Sequence, residues 1–274
     1  MIKKDMPRGK YEMNMCEGPI LSKMLKFAIP LMLSSILQLL FNAADVVVVG
    51  KFAGDASLGA VGCTGSMVNL LTNLFVGLSV GANVMTARYY GAKREYELSE
   101  SIHTSMLVAV IAGAILMAVG LIFSERILEL MGTPEDILPK ATLYLSIYFL
   151  GMIANMVYNF GSAILRAVGD TKRPMYYLAF AGVINVVLNL LLVIVFKLDV
   201  AGVAIATVIS QCVSAILVVR CMVKDTGTVR LELKRLHINP RELKQIVQIG
   251  IPAGLQGCIF SLSDVVIQSA INSF

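Results

Sequence analysis

The sequence contains few charged residues and no tryptophan. Charged residues make up 15% of its 274 positions and hydrophobic residues 57%, whereas soluble domains carry about 25% charged residues. The mean hydropathy of +0.78 is correspondingly high. This composition excludes an ordinary soluble domain and predicts a membrane protein. Its nine tyrosines would supply the interfacial anchors that tryptophan often provides.

Motifs for metal binding and nucleotide hydrolysis are also missing. The five cysteines form no CxxC pair, and four of them lie inside apolar stretches, so we interpret them as small buried hydrophobic side chains. Neither a phosphate loop nor an HExxH motif occurs. Residues Gly77–Gly81 match the GxSxG hydrolase pattern, but they lie in a long apolar stretch instead of a strand–turn–helix elbow. We therefore expect a protein that is not an enzyme and that needs no cofactor.

Seven apolar segments are long enough, at roughly 20 residues each, to cross a bilayer. They predict an all-α membrane protein whose first six spans form one lobe over residues 27–222. A basic cytoplasmic linker, residues 223–245, would join this lobe to the start of another at residues 246–274. The predicted spans are Phe27–Gly50, Leu58–Thr86, His103–Phe123, Thr142–Leu165, Tyr177–Phe196, Ala201–Met222 and Ile246–Phe274.

Lysine and arginine are distributed unequally between the two sides of these spans. If the segment 1–26 lies in the cytoplasm, the cytoplasmic loops carry 19 basic residues and the opposite loops carry 4. Because cytoplasmic loops are enriched in basic residues, this orientation is strongly favoured. The net charge of +5 therefore indicates membrane topology, and we expect no nucleic-acid partner. The predicted location is the cytoplasmic membrane.

One motif occurs twice, about 220 residues apart. Ala28-Ile29-Pro30 and the later Phe41–Val47 are matched by Gly250-Ile251-Pro252 and Phe260–Val266. Such a long period predicts a duplicated lobe of several helices. Six spans return the chain to its starting side, so the duplication would be parallel, with its axis along the membrane normal. We expect one complete lobe followed by the first, truncated helix of a second lobe.

Asp45 is the only acidic residue well inside the first six predicted spans. A charged residue at such a position costs about 2.5–3.5 kcal/mol and by default indicates function. From a rise of about 1.5 Å per residue, Asp45, Asn189 and Thr207 lie about 7–10 Å below the outer ends of their spans. Asn185 lies one turn deeper than Asn189, and Tyr144 enters the fourth span near the same surface. Oxygen ligands at one depth predict a site for a proton or a hard cation such as Na⁺.

Further polar residues follow helical spacing inside the spans. Gln38 lies two turns before Asp45, and Asn155 pairs with Asn159 at four-residue spacing. Hydrogen bonds between helices would account for each of them singly. Their number favours a polar cavity inside the helix bundle.

At this point the residues resemble a known family, the multidrug and toxic-compound extrusion (MATE) transporters, from about Gly18 to the end of the chain. The matching stretches are Ala28-Ile29-Pro30 with Phe41–Phe52, the loop Leu165–Met175, Ile184–Asn189, and the recurrence at Gly250-Ile251-Pro252. The resemblance implies twelve helices in two six-helix lobes around a central drug cavity.

The same resemblance implies roles for individual residues. Asp45 occupies the position of the first-span aspartate that serves as a cation or proton site in the family. Asn185 and Asn189 match the fifth-span polar pair, and Thr207 and Tyr144 match by spacing. In this comparison Gln38 and Asn159 match cavity-lining positions. One branch of the family carries an acidic residue on the seventh span where this chain has Phe260, which favours coupling through the first lobe.

The predicted activity is secondary active efflux of small amphipathic or cationic drug-like compounds, driven by antiport of H⁺ or Na⁺. The expected partners are these substrates, the lipid bilayer and the missing C-terminal lobe. Two alternatives stay open. One is a lipid-linked or polysaccharide flippase of a related fold, which would need a cationic cavity for phosphate groups. The other is an uncoupled channel or receptor, whose flux would ignore proton and sodium gradients.

Overall fold

The computed structural model describes residues 20–272, and the regular structure in this range is helical. Most of the predicted segment 1–26 and the last two residues lie outside the described range. A π-helical segment, Leu190–Val195, continues α6, and a short 3₁₀ helix spans Leu233–Arg235. The α-helices are α1 Ile20–Phe52, α2 Asp55–Gly91, α3 Glu95–Leu130, α4 Leu138–Leu150, α5 Met152–Ala167, α6 Lys172–Asn189, α7 Asp199–Lys224 and α8 Pro240–Asn272.

Six helical stretches of the described range are long and apolar enough to cross a membrane, and the number is seven when the bent pair of α4 and α5 is counted as one span. The all-helical membrane architecture predicted from the sequence is thereby confirmed. The predicted span Thr142–Leu165 falls within this helix pair, and the structure adds a bend of 49° between α4 and α5 that was not predicted. At the bend, the Gly151 N–H donates to Tyr148 O at 3.0 Å, a tighter turn than the α-helical pattern.

Gly151 also brings the bend close to α7. A Cβ atom at this position would lie 2.5 Å from Oε1 of Gln211. Only glycine therefore permits this approach without displacing the Gln211 side chain. A glycine without a proline is a weak signal for a helix break, so the sequence did not predict this one.

Three helices are tied together at one end of the bundle. The Lys140 ammonium group donates to Ser57 Oγ at 2.8 Å and contacts Asp199 Oδ2 at 2.7 Å. These residues lie near the N-terminal ends of α4, α2 and α7. The three helices therefore start on the same side of the bundle, as the alternation of the spans requires.

The connection between α7 and α8 is shorter than the predicted linker 223–245. Helix α7 continues to Lys224 and α8 begins at Pro240, so only residues 225–239 lie outside α-helix. Proline suits a first helical position because it lacks the N–H that would be unpaired there. The basic residues at both ends of the predicted linker are good helix formers, and this preference extends both helices beyond the apolar stretches.

The most extensive helix pair of the described range joins α2 and α8. The two backbones touch where glycines face each other: a Cβ atom on Gly77 would lie 2.2 Å from Gly254 Cα, and one on Gly81 would lie 2.3 Å from Ile246 O. Further along, Asn73 Nδ2 donates to Ser261 Oγ at 2.7 Å. Helix α8 thus packs on the first lobe through small residues, as membrane helices commonly do.

Directly after Asn189, the backbone changes from α-helix to π-helix. Phe196 N–H donates to Leu191 O at 3.1 Å, which is the five-residue spacing of a π turn. The turn packs closely on α7, because a Cβ atom on Gly202 would lie 3.1 Å from Leu192 Cβ. Such turns are frequent at functional sites, and this one directly follows a predicted site residue.

Candidate functional site

A cavity of about 590 Å³ lies among α1, α2, α4, α5, α6 and α7. Six of the seven residues that the sequence predicted for the site or the cavity line it. They are Gln38 and Asp45 on α1, Tyr144 on α4, Asn159 on α5, Asn185 on α6 and Thr207 on α7. The seventh, Asn189, is fully buried behind the wall and contacts Asp45.

A continuous chain of hydrogen bonds joins α1, α6 and α7. Asn189 Nδ2 donates to Asp45 Oδ1 and also lies 3.2 Å from Asn185 Oδ1. Asn185 Nδ2 donates in turn to Thr207 Oγ1 at 3.3 Å, and the Thr207 hydroxyl donates to Val203 O of its own helix at 3.0 Å. The depth match inferred from the sequence therefore corresponds to direct contact for these four predicted residues.

The helical spacing of α6 explains how two amides reach the same carboxylate region. Asn185 and Asn189 are four residues apart and share one face of the helix. Donors of Asn189 are directed at the Asp45 carboxylate, which can only accept when it is ionised. The Oδ1 atom of Asn189 is buried and has no hydrogen-bond partner within the described residues. One amide oxygen thus remains available beside the carboxylate.

The aromatic part of the wall comes from α4. The Tyr144 and Tyr148 rings stack with centroids 6.0 Å apart and an interplanar angle of 25°. Tyr144 is buried. Both rings line the cavity that contains Asp45, so they supply flat apolar surface next to the acidic group.

Asn159 and Gln38 occupy other parts of the wall. Asn159 Nδ2 donates to Asn155 Oδ1 at 2.8 Å and to Asn155 O at 2.9 Å, so this predicted pair is joined within α5. Gln38 is exposed on α1. Neither residue takes part in the hydrogen-bond chain of Asp45.

The sequence analysis did not single out several polar residues of the wall. Ser210 and Ser214 on α7 line the cavity together with Thr207 and Gln211. These four residues follow the spacing i, i+3, i+4 and i+7, which defines one face of a helix. This periodic polar stripe was the available signal. Asn42 on α1 also lines the cavity, and it follows the same kind of pattern, because it lies four residues after Gln38 and three before Asp45.

Asp45 is the only ionisable carboxylate among the lining residues of the described chain, and no lysine or arginine accompanies it there. The remaining polar groups are amides, hydroxyls and phenols. Since nothing cationic balances Asp45, the cavity attracts positively charged species.

Comparison with known proteins gives a consistent result. The sequence model of the MatE family matches residues 30–191. The probable multidrug resistance protein YpnP of Bacillus subtilis is 31% identical over 258 residues, which cover 94% of this chain and 58% of that protein. The multidrug export protein MepA of Staphylococcus aureus is 25% identical over 92% of this chain and 56% of its own length.

Solved structures support the same relationship. A crystal structure of MATE in the bent conformation superposes with a TM-score of 0.81 at 26% identity, covering 87% of this chain and 53% of that one. An outward-facing structure of a multidrug resistance MATE family transporter of the MOP superfamily gives a TM-score of 0.80. The chain spans about half the length of the relatives it matches. The family match, the relatives and the shared fold together establish that this chain belongs to the MATE family of membrane transporters.

Proposed function

We propose that this chain provides the cation-coupling lobe of a secondary active exporter, which moves drug-like compounds out across the cytoplasmic membrane in exchange for H⁺ or Na⁺. The observation that carries the proposal is the contact of Asp45 with Asn189 at the wall of a cavity whose described lining residues include no lysine or arginine. A carboxylate inside a membrane protein costs free energy, and reversible binding of a cation to Asp45 would explain why it is there.

Either coupling ion is compatible with this chemistry. A proton would bind to the Asp45 carboxylate itself. A sodium ion prefers oxygen ligands, and the Asp45 carboxylate, the unpartnered Asn189 Oδ1 and the Thr207 hydroxyl oxygen would supply them. The Asn189 side-chain amide would reorient when the ion binds, since its Nδ2 atom donates a hydrogen bond to one carboxylate oxygen of Asp45 in this structure.

The same cavity suits small amphipathic or cationic substrates. The stacked rings of Tyr144 and Tyr148 offer the faces that attract organic cations. Asp45 provides the opposite charge within the same space. A substrate cation and a coupling ion would therefore compete for one carboxylate, which is the simplest physical basis for exchange. A flippase acting on phosphate head groups would instead need basic groups in the wall.

The complete transporter would contain a second lobe that begins with α8, after the connection formed by residues 225–239. Transport would then proceed by alternating access as the two lobes move about the cavity. The excess of basic residues in alternate loops supports a cytoplasmic N-terminus.

Ion binding to the purified chain tests the coupling role. The unfolding midpoint would be measured in detergent across a pH series, with sodium chloride replaced by choline chloride at equal ionic strength. A ligand at 100 times its dissociation constant stabilises a protein by about 2.7 kcal/mol. We expect stabilisation by Na⁺ or by protons, its loss in Asp45→Asn, and its retention in Asp264→Asn, a matched change in the repeated motif.

A fluorescent cationic dye tests exchange on the same samples. Dye binding should weaken as the coupling ion is added to the wild-type chain, and this competition should disappear in Asp45→Asn. If Asp45→Asn and the wild type respond identically to both ions, the coupling role is wrong. Dye binding that ignores both ions would favour the uncoupled channel or receptor.

Cysteine labelling tests the orientation. Glu135 and Lys172 are exposed in opposite loops of the chain, so both are accessible positions. In intact cells, a membrane-impermeant reagent should label Glu135→Cys and should not label Lys172→Cys. The reverse pattern would overturn the orientation. Asp170 is a poor position for this test because it is buried.

A further inference from the structure

The connection between α7 and α8 contains a folded segment, residues 229–239, which we call the return loop. Val229 and Leu231 are buried and hold its first part against the bundle. The 3₁₀ helix Leu233–Arg235 follows, and the segment ends where Pro240 begins α8. The return loop therefore has a fixed conformation and can present particular side chains outward.

Two hydrogen bonds donated by backbone N–H groups fix the depth of the first part of the return loop. Leu231 N–H donates to Met222 O at 3.0 Å, and Glu232 N–H donates to His103 Nε2 at 3.0 Å. Met222 ends the apolar stretch of α7, and His103 begins that of α3. The loop thus returns to the level of the membrane boundary instead of projecting into the aqueous phase.

The far end of the return loop lies at the same level. Asn239 N–H donates to Thr104 Oγ1 at 3.1 Å, and Asn239 Nδ2 donates to Glu100 at 2.9 Å. Thr104 directly follows His103 on α3. Both ends of the stretch 233–238 are consequently held at the boundary, and the residues between them lie along it.

Two apolar side chains of this stretch are exposed. The exposed fraction is 56% for Leu233 and 37% for Ile238. Exposed apolar residues at a membrane boundary commonly enter the region between head groups and acyl chains. Val229 and Leu231 of the same loop are buried against the bundle. The exposure of Leu233 and Ile238 is therefore specific to their positions and does not extend to every apolar residue of the loop.

The charges beside these apolar residues are predominantly positive. Glu232 is shared by two arginines, with distances of 3.8 Å to Arg230 and 3.0 Å to Arg235. One carboxylate thus accompanies two guanidinium groups, and the exposed Lys234 adds a further positive charge. The carbonyl of Arg235 and the carboxylate of Glu100 also raise the pKa of His237, which favours its imidazolium form.

We propose that the return loop is a binding surface for anionic phospholipids, with its cationic side chains on the head-group phosphates and with Leu233 and Ile238 at the upper acyl chains. Lipid is the partner because the loop is held at the membrane boundary, where positive charge and exposed apolar surface meet lipids of the complementary kind. The surface is separate from the cavity of Asp45 and does not depend on transport.

The absence of tryptophan from the sequence allows a direct test. The variant Leu233→Trp places the one tryptophan of the protein in the return loop, and its emission is measured. Phosphatidylglycerol is added to the purified full chain in detergent micelles, and the emission maximum is followed. We expect a shift to shorter wavelength that saturates with this lipid and that is absent with phosphatidylcholine. In bilayer vesicles containing phosphatidylglycerol, brominated acyl chains should quench the emission.

Matched charge variants locate the interaction. On the Leu233→Trp background, each of the changes Arg230→Gln, Lys234→Gln and Arg235→Gln should raise the half-saturating lipid concentration about fivefold, since each basic residue contributes about 1 kcal/mol. The control variants Lys51→Gln, Arg126→Gln and Lys197→Gln remove the same charge from the opposite loops and should leave it unchanged. High salt should weaken the effect.

Other outcomes would overturn the proposal. An equal shift with phosphatidylcholine would mean that the loop enters any lipid without recognising charge. An equal shift with inorganic phosphate alone would identify a phosphate site and not a lipid surface. The variant Leu130→Trp, at the exposed last residue of α3 on the opposite side, supplies the reference emission. If Leu130→Trp shifts with phosphatidylglycerol as Leu233→Trp does, the return loop has no special role.

Discussion

Helices α1 and α8 carry the same repeated motif but have different surroundings. In α1, Pro30 is buried and Asp45 bonds to Asn189 beside the cavity. In α8, Pro252 and Asp264 are both exposed. The motif itself therefore does not determine what the aspartate contacts. In α1, Asn189 of α6 donates to the aspartate, and Asp264 of α8 has no such amide donor in the described range.

The two helices also dock in different ways. Helix α1 packs on α6 with the ring of Phe41 over Gly182, where a Cβ atom would lie 1.8 Å from Phe41 Cε2. Helix α8 packs on α2 with backbone against backbone at Gly77 and Gly254. A side chain can move aside, whereas a backbone cannot do so without moving its helix. We therefore expect the two contacts to respond differently to added volume.

The largest expected effect concerns transport, because Asp45 of α1 is hydrogen-bonded to Asn189 beside the cavity, whereas Asp264 of α8 is exposed. The chain alone, reconstituted in liposomes, should show no gradient-driven movement of a fluorescent cationic dye, since alternating access needs two lobes. The assay imposes a proton or sodium gradient and compares these liposomes with protein-free ones. Robust dye movement that depends on the gradient would show that one lobe suffices, and the comparison of α1 with α8 would lose its functional meaning.

A smaller effect is expected from the change Gly77→Ala. The added methyl group would lie 2.2 Å from both Cα and N of Gly254, so α8 must shift, at a cost of about 1–3 kcal/mol. The measurement is the free energy of unfolding in detergent. The control is Gly65→Ala on the same helix, which has open space around it and should be neutral or stabilising by up to about 1 kcal/mol. Equal effects of the two changes would contradict the close backbone contact.

The smallest stability effect should come from Gly182→Ala on the α1 side. The clash is with the far end of the Phe41 ring, which can rotate, so we expect a loss of about 1 kcal/mol, the low end for overpacking. Phe41 lies one turn before Asp45, so the response to Na⁺ or protons should weaken as well. An unchanged ion response together with a larger loss of stability than for Gly77→Ala would reverse the comparison.

The fold was largely predictable because apolar length and basic residues are strong signals in membrane proteins. The seven predicted spans and their orientation follow from these two signals, whereas the repeat was predicted from the recurrence of one motif. The bend at Gly151 was not predictable, since it depends on the contact with Gln211 and not on a local helix breaker. The ends of the linker were missed because apolar length marks the bilayer boundary, whereas α7 and α8 continue past it.

The candidate site was predictable where depth and helical face could be combined. Asp45, Asn189 and Thr207 share a predicted level, Asn185 lies one turn deeper on the face of Asn189, and the structure joins all four by hydrogen bonds. Depth alone could not separate Asn189, which lies behind the wall, from residues that line the cavity. The serines of α7 were not predicted because hydroxyl side chains are common in membrane helices, and a single one does not indicate a site. The roles of these residues stay predictions.

The π-helical turn after Asn189 determines where this span tolerates insertions and deletions. A π turn contains one residue more than an α-helical turn, so the segment Leu190–Val195 can lose one residue and still form a helix. Deleting Ile194 would be absorbed by reversion to an α turn, with Asn189 still against Asp45. A deletion between Asn185 and Asn189 would destroy their four-residue spacing and turn one amide away from the carboxylate. The span therefore tolerates a one-residue deletion after Asn189 but not between Asn185 and Asn189.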